Sequence, residues 1–436
     1  MPEIIHKKTA SFSFHSLTKM KEQVFQWAQS FDPVCYLDSN EYDTLREDKV
    51  EGLLAVGQQK ELCIHQTSAN PFDQLRQFQQ ATKDWIFGFL SYDLKNSIEN
   101  LTSNNEDHLN FPIVHFFQPI YLIKIFSTKI EITSTTTSPS EIWKNILNTK
   151  KDKIKLSSLS VDQLASRISR KDYFKIIEKI KHHLAIGDIY EMNFCQEFFI
   201  ENSVLSPAIL FEKLNHISKA PFSAFYRRKD QYLLCASPER FLKKEDRHII
   251  SQPIKGTIKR GKTKAENNRL VRQLLQSKKD RAENVMIVDL VRNDLARTCI
   301  PGTVEVTELF GSYPFSQVNH LISTIKGTLR PEMDGIDAIK NAFPMGSMTG
   351  APKIRSMELI EQYERSKRGL YSGAVGYFTP DKDFDFNVVI RSMLYNQTKK
   401  YLSFQVGGAI VNDSIPAKEY EECLLKAAGI LKALEG

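Results

Sequence analysis

Ser251-Gln252-Pro253-Ile254-Lys255-Gly256-Thr257 sets one lysine between an isoleucine and a glycine. Pro253 fixes its own φ and Gly256 permits conformations closed to other residues, so the amine is aimed rather than left on a flexible tail. A protonated lysine is a poor nucleophile, and an apolar site that disfavours its charge makes it reactive. The other reading is a surface lysine at a turn after the strand His248-Ile249-Ile250. These seven residues alone favour the turn; the case for chemistry comes from what flanks them.

Upstream, Ser169 can cap a helix whose apolar stripe is Tyr173, Ile176, Ile177, Ile180 and Leu184, ending at Gly187. Residues 190–200 then read as a strand and 206–216 as a helix. Residues 224–226 and 232–236 fit an antiparallel pair, and Glu239 lies just beyond it, where a solvated end-of-strand carboxylate is also an ordinary finding. Downstream, a helix over 280–295 carries Val285, Ile287, Val288, Leu290 and Val291, with Asp280 and Glu283 three apart on one face of its first turn. A last helix, capped by Ser414 and with Pro416 in its first turn, repeats the pattern in Glu419 and Glu422. Acids favour helix N-termini electrostatically, and that alone accounts for each pair. Two pairs can also converge on one hard cation, for which Mg²⁺ bound through carboxylates, waters and an anionic substrate is the natural candidate. Spacing within a helix does not say which.

Between those helices, residues 343–353 (Phe-Pro-Met-Gly-Ser-Met-Thr-Gly-Ala-Pro-Lys) form a small-residue loop opening a helix, with proline inside its first turn. Free N–H groups there make an anion site. Gly350 is followed by Ala-Pro-Lys, so this is no Walker A loop, and a carboxylate suits it better than a triphosphate. Gly407 and Gly408 offer a second glycine-lined backbone, which tight packing explains equally well.

A chain of 436 residues can bury a large core; 41% hydrophobic and 25% charged residues are ordinary for a soluble globular enzyme. The formal charge of +7 suits an anionic small substrate as well as nucleic acid. Residues 1–8 contain no apolar h-region, and no run approaches the roughly 18 apolar residues of a membrane span. The six cysteines lack CxxC spacing, so a reducing cytoplasm is expected, with no zinc site and no disulfide framework. Residues 34–37, 85–92, 112–117 and 121–125 read as strands. The polar, lysine-rich stretch 149–158 is the expected boundary between an N-terminal segment, 1–150, and a catalytic domain, 165–433. No glycine-aromatic motif accompanies that basic run, so it reads as a solvated linker and not as a nucleic-acid contact.

In their order, residues 187–190 (Gly-Asp-Ile-Tyr), 237–239 (Ser-Pro-Glu), 253–257, 289–295, 320–323, 346–353, 368–378, 407–411 and 419–426 resemble the chorismate-utilising enzymes. The likeness runs from about 169 to 431, with a fainter echo at 37–39 and 88–94. Ala409 departs from it, standing where relatives often have a third glycine. The resemblance implies an α+β fold: two large antiparallel β-sheets packed face to face with flanking helices, the N-terminal segment intertwined with the rest. Within the family, the lysine of Pro-Ile-Lys-Gly-Thr resembles the aminodeoxychorismate synthase component I branch, whereas the anthranilate synthase branch has alanine there. Isochorismate and salicylate synthases carry a water-activating lysine at the place held here by Glu191, which argues against water as nucleophile.

That resemblance implies conversion of chorismate and ammonia to 4-amino-4-deoxychorismate, a step toward para-aminobenzoate and folate. It assigns Mg²⁺ to Glu283 and Glu422, with Asp280 and Glu419 behind them. The ring carboxylate would rest on the metal and on N–H groups around Ser347, Thr349 and Gly350. The enolpyruvyl carboxylate would rest on Tyr371, Arg391 and the Gly407 and Gly408 backbone; a guanidinium can pair bidentately with it. Glu239 would be the general acid and Lys255 a nucleophile attacking C2, while Thr257 and His320 would line the ring site. No cysteine nucleophile motif with a downstream His-x-Glu is found, so ammonia is expected from a separate glutamine amidotransferase subunit, as a heterodimer, or from solution. The resemblance also permits a tryptophan-like ligand near Ser39. Anthranilate synthase component I is the nearest alternative, and Lys255 counts against it. A non-catalytic nucleic-acid-binding protein is a distant one, against which the acidic pairs argue.

Overall fold

The computed structural model describes residues 7–42, 50–65, 70–150 and 161–435. Residues 1–6 of the start read for a secretory signal, and residues 151–158 of the lysine-rich boundary, lie outside the described residues. The first part of the chain supplies strands β1 (Lys8–Ser13), β2 (Val34–Asp38), β3 (Gly52–Ile64), β4 (Ile86–Leu90), β5 (Val114–Ile125) and β6 (Lys129–Ser134). Next come β7 (Ala165–Ser166), β8 (Glu191–Ile200), β9 (Phe222–Arg228), β10 (Gln231–Ser237), β11 (Arg240–Glu245), β12 (His248–Gln252) and β13 (Ile254–Lys259). The last are β14 (Glu305–Pro314), β15 (Val318–Thr328), β16 (Gly350–Ala351), β17 (Ala374–Phe378), β18 (Phe384–Val388), β19 (Ser392–Asn396) and β20 (Tyr401–Ile410).

All pairings between these strands are antiparallel. One run is β8–β20–β19–β10–β9–β2–β3–β5. From β5 the ladder continues through β4 into β17–β18–β11–β12–β15, where β13 and β14 also pair with β15. The ladder folds back on itself: Leu53, Ala55, Ala224, Tyr226 and Leu233 of the first run share one buried cluster with Phe87, Phe89, Val375, Leu242 and Phe386 of the second. Successive strand residues point to opposite faces. Leu54, Phe225 and Leu234 accordingly face away, into a second cluster beneath the helices Leu17–Ala28, Arg170–Ala185, Pro207–Ser218 and Pro416–Leu434. The expected pair of facing antiparallel sheets is therefore present, joined by continuous hydrogen bonding through β3 and β5.

Several local readings hold. Ser169 caps the helix Arg170–Ala185 by accepting from the Asp172 N–H, and Tyr173, Ile176, Ile177 and Ile180 are buried. Two strands expected at 112–117 and 121–125 are one strand, β5, that runs through Pro119. The ring leaves no N–H to donate, and the partner strand shifts register between Gln58 and Lys60 opposite it, so the strand bends instead of ending. The six cysteines are free. Among the described residues no helix is long and apolar enough to cross a membrane.

Candidate active site

Lys255 lies on β13, not at a turn. Its Nζ donates to Glu191 Oε1 at 2.7 Å. Glu191 opens β8 and is 1% exposed, and its second oxygen, Oε2, is buried without a hydrogen-bond partner. Burial works against the lysine's charge, but the charges of Glu191, Glu283 and Glu239 outweigh it, and the pKa is raised. The expectation of an apolar site that neutralises Lys255 is thus reversed. Its neighbours in sequence are apolar, whereas its neighbours in space are carboxylates, and the resting side chain is an ammonium.

Two residues along, Thr257 faces His320 across the β13–β15 ladder, with Thr257 Oγ1 2.8 Å from His320 Nδ1. Burial, with the charges of Arg391 and Lys426, pushes the histidine down to about 3, so it is neutral at physiological pH. Glu239 sits in the short link between β10 and β11. Burial raises its pKa to about 7, against the pull of Ser347, Lys255 and the Ile254 N–H. Ser347 Oγ donates to its Oε1 at 2.6 Å. Arg240, the residue after Glu239, pairs with Gln252 across the β11–β12 ladder, and Pro253 then leads into β13, so the acid and the amine lie just beyond the same end of that ladder.

The helix expected over 280–295 spans Lys278–Ala296, capped by Ser277. Val285 is 42% exposed and does not belong to its buried side, which runs through Asn284, Ile287, Val288, Val291 and Leu295. Asp280 accepts from the Ser277 hydroxyl and lies against Gly256, where a Cβ would come within 3.3 Å of Asp280 Oδ1. Burial raises the pKa of Glu283, whose Oε1 lies 3.8 Å from Lys279 Nζ and makes no hydrogen bond. The last helix is Pro416–Leu434. Ser414 does not cap it; its hydroxyl accepts from the Val411 N–H instead. Burial likewise raises Glu419. At Glu422 burial is overcome by Lys426, whose Nζ is 2.8 Å away, and the pKa falls.

The two helix starts act on the same cations. Lys279 bears electrostatically on Glu283, Glu419 and Glu422, and Lys255 on Glu283 and Glu422. Among the described residues no three His, Cys, Asp or Glu side chains cluster tightly enough to cage a metal. Mg²⁺ asks for less, keeping several waters and taking one or two carboxylates beside an anionic substrate. The orphaned buried oxygen of Glu283 leaves an acceptor open to a hard cation at the helix starts.

In the loop 343–353, Pro352 is the N-cap of the helix Lys353–Tyr363, one residue outside its first turn. The Met348 and Thr349 N–H groups donate to the Met345 and Gly346 carbonyls, so these expected anion donors are already used. The Thr349 hydroxyl also turns inward, to those same carbonyls. Gly350 has φ +146°, and a Cβ there would lie 2.2 Å from the Glu191 carbonyl oxygen, so glycine lets the loop press on β8. The buried Arg368 holds the loop from behind, donating to Met348 O at 2.6 Å and Asn193 O at 3.0 Å while paired with Glu364. The Tyr371 hydroxyl lies 3.4 Å from Cys195 Sγ, and Arg391 donates to Lys426 O at 3.0 Å. The glycine pair divides. A Cβ on Gly407 would meet Phe194 O at 2.1 Å, which is packing, whereas Gly408 faces Glu419, Glu422 and Lys426.

Sequence reasoning missed Lys279 and Lys426 as partners of the acids, although each stands four positions from its glutamate, a spacing that signals contact on a helix. It also missed Asn284, which donates to Lys255 O at 3.2 Å and accepts from Ser323 Oγ at 2.7 Å. The Glu191–Lys255 pair, 64 positions apart, has no local signal.

Comparison with known proteins adds independent findings. The family described as chorismate binding enzyme matches residues 23–432. The anthranilate synthase component I-like protein of Synechocystis is 37% identical over 358 residues, 81% of this chain and 73% of its own. Aminodeoxychorismate synthase component 1 of Bacillus subtilis is 32% identical over 361 residues, 80% of this chain and 76% of its own. The crystal structure of anthranilate synthase component I from Streptococcus pneumoniae superimposes with a TM-score of 0.76 at 27% identity, covering 87% of this chain and 91% of that one.

Proposed function

The chain belongs to the chorismate-binding enzyme family, and from that premise we propose that it is an aminodeoxychorismate synthase component I. It would convert chorismate and ammonia to 4-amino-4-deoxychorismate, with ammonia drawn from glutamine by a separate amidotransferase subunit, in a reducing cytoplasm. The observation that carries this reading is Lys255, largely enclosed, paired with Glu191 and under the charges of Glu283 and Glu239.

Glu283 and Glu422 would hold Mg²⁺, backed by Asp280 and Glu419, and the ion's chemistry is to neutralise the ring carboxylate. Arg391, Tyr371 and the Gly408 backbone would seat the enolpyruvyl carboxylate, and neutral His320 would line the ring. Glu239 gives its proton to the departing C4 hydroxyl as the Lys255 amine bonds to C2. Ammonia then enters at C4 and the lysine leaves C2.

The test is to incubate the purified chain with chorismate and Mg²⁺, with ammonium in one arm and glutamine in the other, and to identify products by mass. Ammonium is expected to yield 4-amino-4-deoxychorismate and glutamine nothing. Anthranilate with pyruvate would establish the other branch, and unchanged chorismate would sink the enzyme reading.

A pH dependence follows from Glu239. Its acid form persists below about 7 and is lost above, so covalent capture of chorismate is expected to lose rate as pH rises through that value. Glu239→Gln should slow capture on the order of 10²–10⁴-fold and erase the falling limb. A limb that survives in the variant belongs to another group.

A further inference from the structure

Lys255 is required to attack as a free amine, yet it rests as an ammonium among Glu191, Glu283 and Glu239. Something must take its proton. Among the described residues its Nζ has one hydrogen-bond partner, Glu191 Oε1 at 2.7 Å, within the reach proton transfer demands. Glu239 already accepts from Ser347 and must itself donate to the leaving group. Glu283 acts on the lysine through its charge only.

Glu191 is built into place. Its residue pairs with Ala351 across the β8–β16 ladder, its carbonyl accepts from Ser356 Oγ at 3.2 Å, and Gly350 is held tightly against it. A side chain on so rigid a support keeps its geometry. Its Oε2 is nevertheless buried and unpartnered, and an unsatisfied buried group calls for a functional account. Moving one proton across the 2.7 Å bond turns two buried charges into none, which relieves the desolvation both carry once substrate has expelled water.

We propose that Glu191 is the proton acceptor that frees the Lys255 amine. The inference rests on the covalent reading of Lys255 given above. One ammonium proton passes from Nζ to Glu191. The Nζ lone pair bonds to C2, both conjugated ring double bonds shift toward C4, the C4–O bond breaks, and Glu239 protonates the departing oxygen to give water. When ammonia bonds to C4, both double bonds shift back and the C2–N bond breaks. The new C4 ammonium gives one proton to Glu239, and the released amine takes its proton back from Glu191. Protons balance, and both carboxyls end as they began.

The experiment follows capture of chorismate by the whole chain, with Mg²⁺ and without ammonia, by intact-protein mass across pH, in wild type, Glu191→Gln and Glu191→Asp. Chorismate affinity is measured in parallel as a check on folding and binding. Glu191→Gln, which keeps the shape but cannot accept, is expected to slow capture on the order of 10²–10⁴-fold near neutrality with affinity unchanged. That loss should shrink as pH rises and solvent takes the proton, and Glu191→Asp should restore part of the rate. If Glu191→Gln captures chorismate as fast as wild type, or only moves the rising limb to lower pH, Glu191 merely clamps the ammonium and the proposal is overturned. A wild-type protein that never gains substrate mass overturns the lysine reading and this one with it, which separates the two failures.

Discussion

Lys255→Ala is expected to lose amination at C4 by on the order of 10³-fold or more, about 4 kcal/mol of transition-state stabilisation. Wild type, incubated with chorismate and without ammonia, should gain substrate mass at Lys255, and the variant should not. Removing one member of a buried ion pair leaves the other charge uncompensated, typically at 3–5 kcal/mol. Glu191, 1% exposed, is the charge left behind. The variant's fold therefore needs its own readout, near-ultraviolet dichroism with chorismate affinity. Alanine is the residue of the anthranilate synthase branch at this position, so slow direct attack at C2 is an expected side reaction. A wild-type protein that makes 4-amino-4-deoxychorismate without ever carrying substrate at Lys255 would leave the lysine a positioning charge.

The second large effect concerns the two helix starts. Glu283→Gln and Glu422→Gln are each expected to reduce turnover at limiting Mg²⁺ on the order of 10³-fold, since an ion neutralising substrate charge contributes several kcal/mol. Stability should barely change. Glu283 is a largely enclosed carboxyl whose ionisation burial opposes, and Glu422 loses an i,i+4 pair with Lys426, worth about 0.3–0.5 kcal/mol, together with the weaker attraction of Lys279 and Lys255. Binding offers a readout independent of activity: Mg²⁺ that binds the folded chain raises its melting temperature, and neither variant should show that rise. A variant that keeps wild-type turnover at limiting Mg²⁺ removes its glutamate from the assignment.

Much that depends on residues three or four apart was legible in the sequence, although the i,i+4 partners Lys279 and Lys426 were overlooked and Ser414 does not cap the last helix. The paired acids at 280/283 and 419/422, the Ser169 cap and the stripe at 173–180 are local, and the structure keeps them. Lys255 shows the limit. Ile254 and Gly256 describe the backbone beside it, but the charge it feels comes from Glu191 on β8, Glu283 on a helix and Glu239 between two other strands. Strand register brings those together, and no spacing along the chain encodes it. The break read between 117 and 121 fails for a related reason: Pro119 there has no N–H for a ladder, and a register shift in β3, a different part of the chain, accommodates it. The glycines at 407 and 408 look alike in sequence, yet one meets a carbonyl and the other the acids, because successive residues of a strand point to opposite faces.

The place of β2 and β4 in the ladder bears on how such a protein can be divided or recombined. β2 lies between β3 and β9, and β4 between β5 and β17, so strands from the first 150 residues are bonded on one side to their own segment and on the other to strands beyond residue 220. Cutting the chain near residue 160 would therefore separate no modules. It would strip a neighbour from β9 and from β17, two strands in the interior of the ladder, and leave rows of unpaired N–H and C=O groups of the kind that recruit other chains. Exchange of the N-terminal segment between relatives can succeed only where the incoming strands reproduce both registers at once, Val34 opposite Arg227 and Leu90 opposite Ala374. Inheritance should act on this chain as a single block.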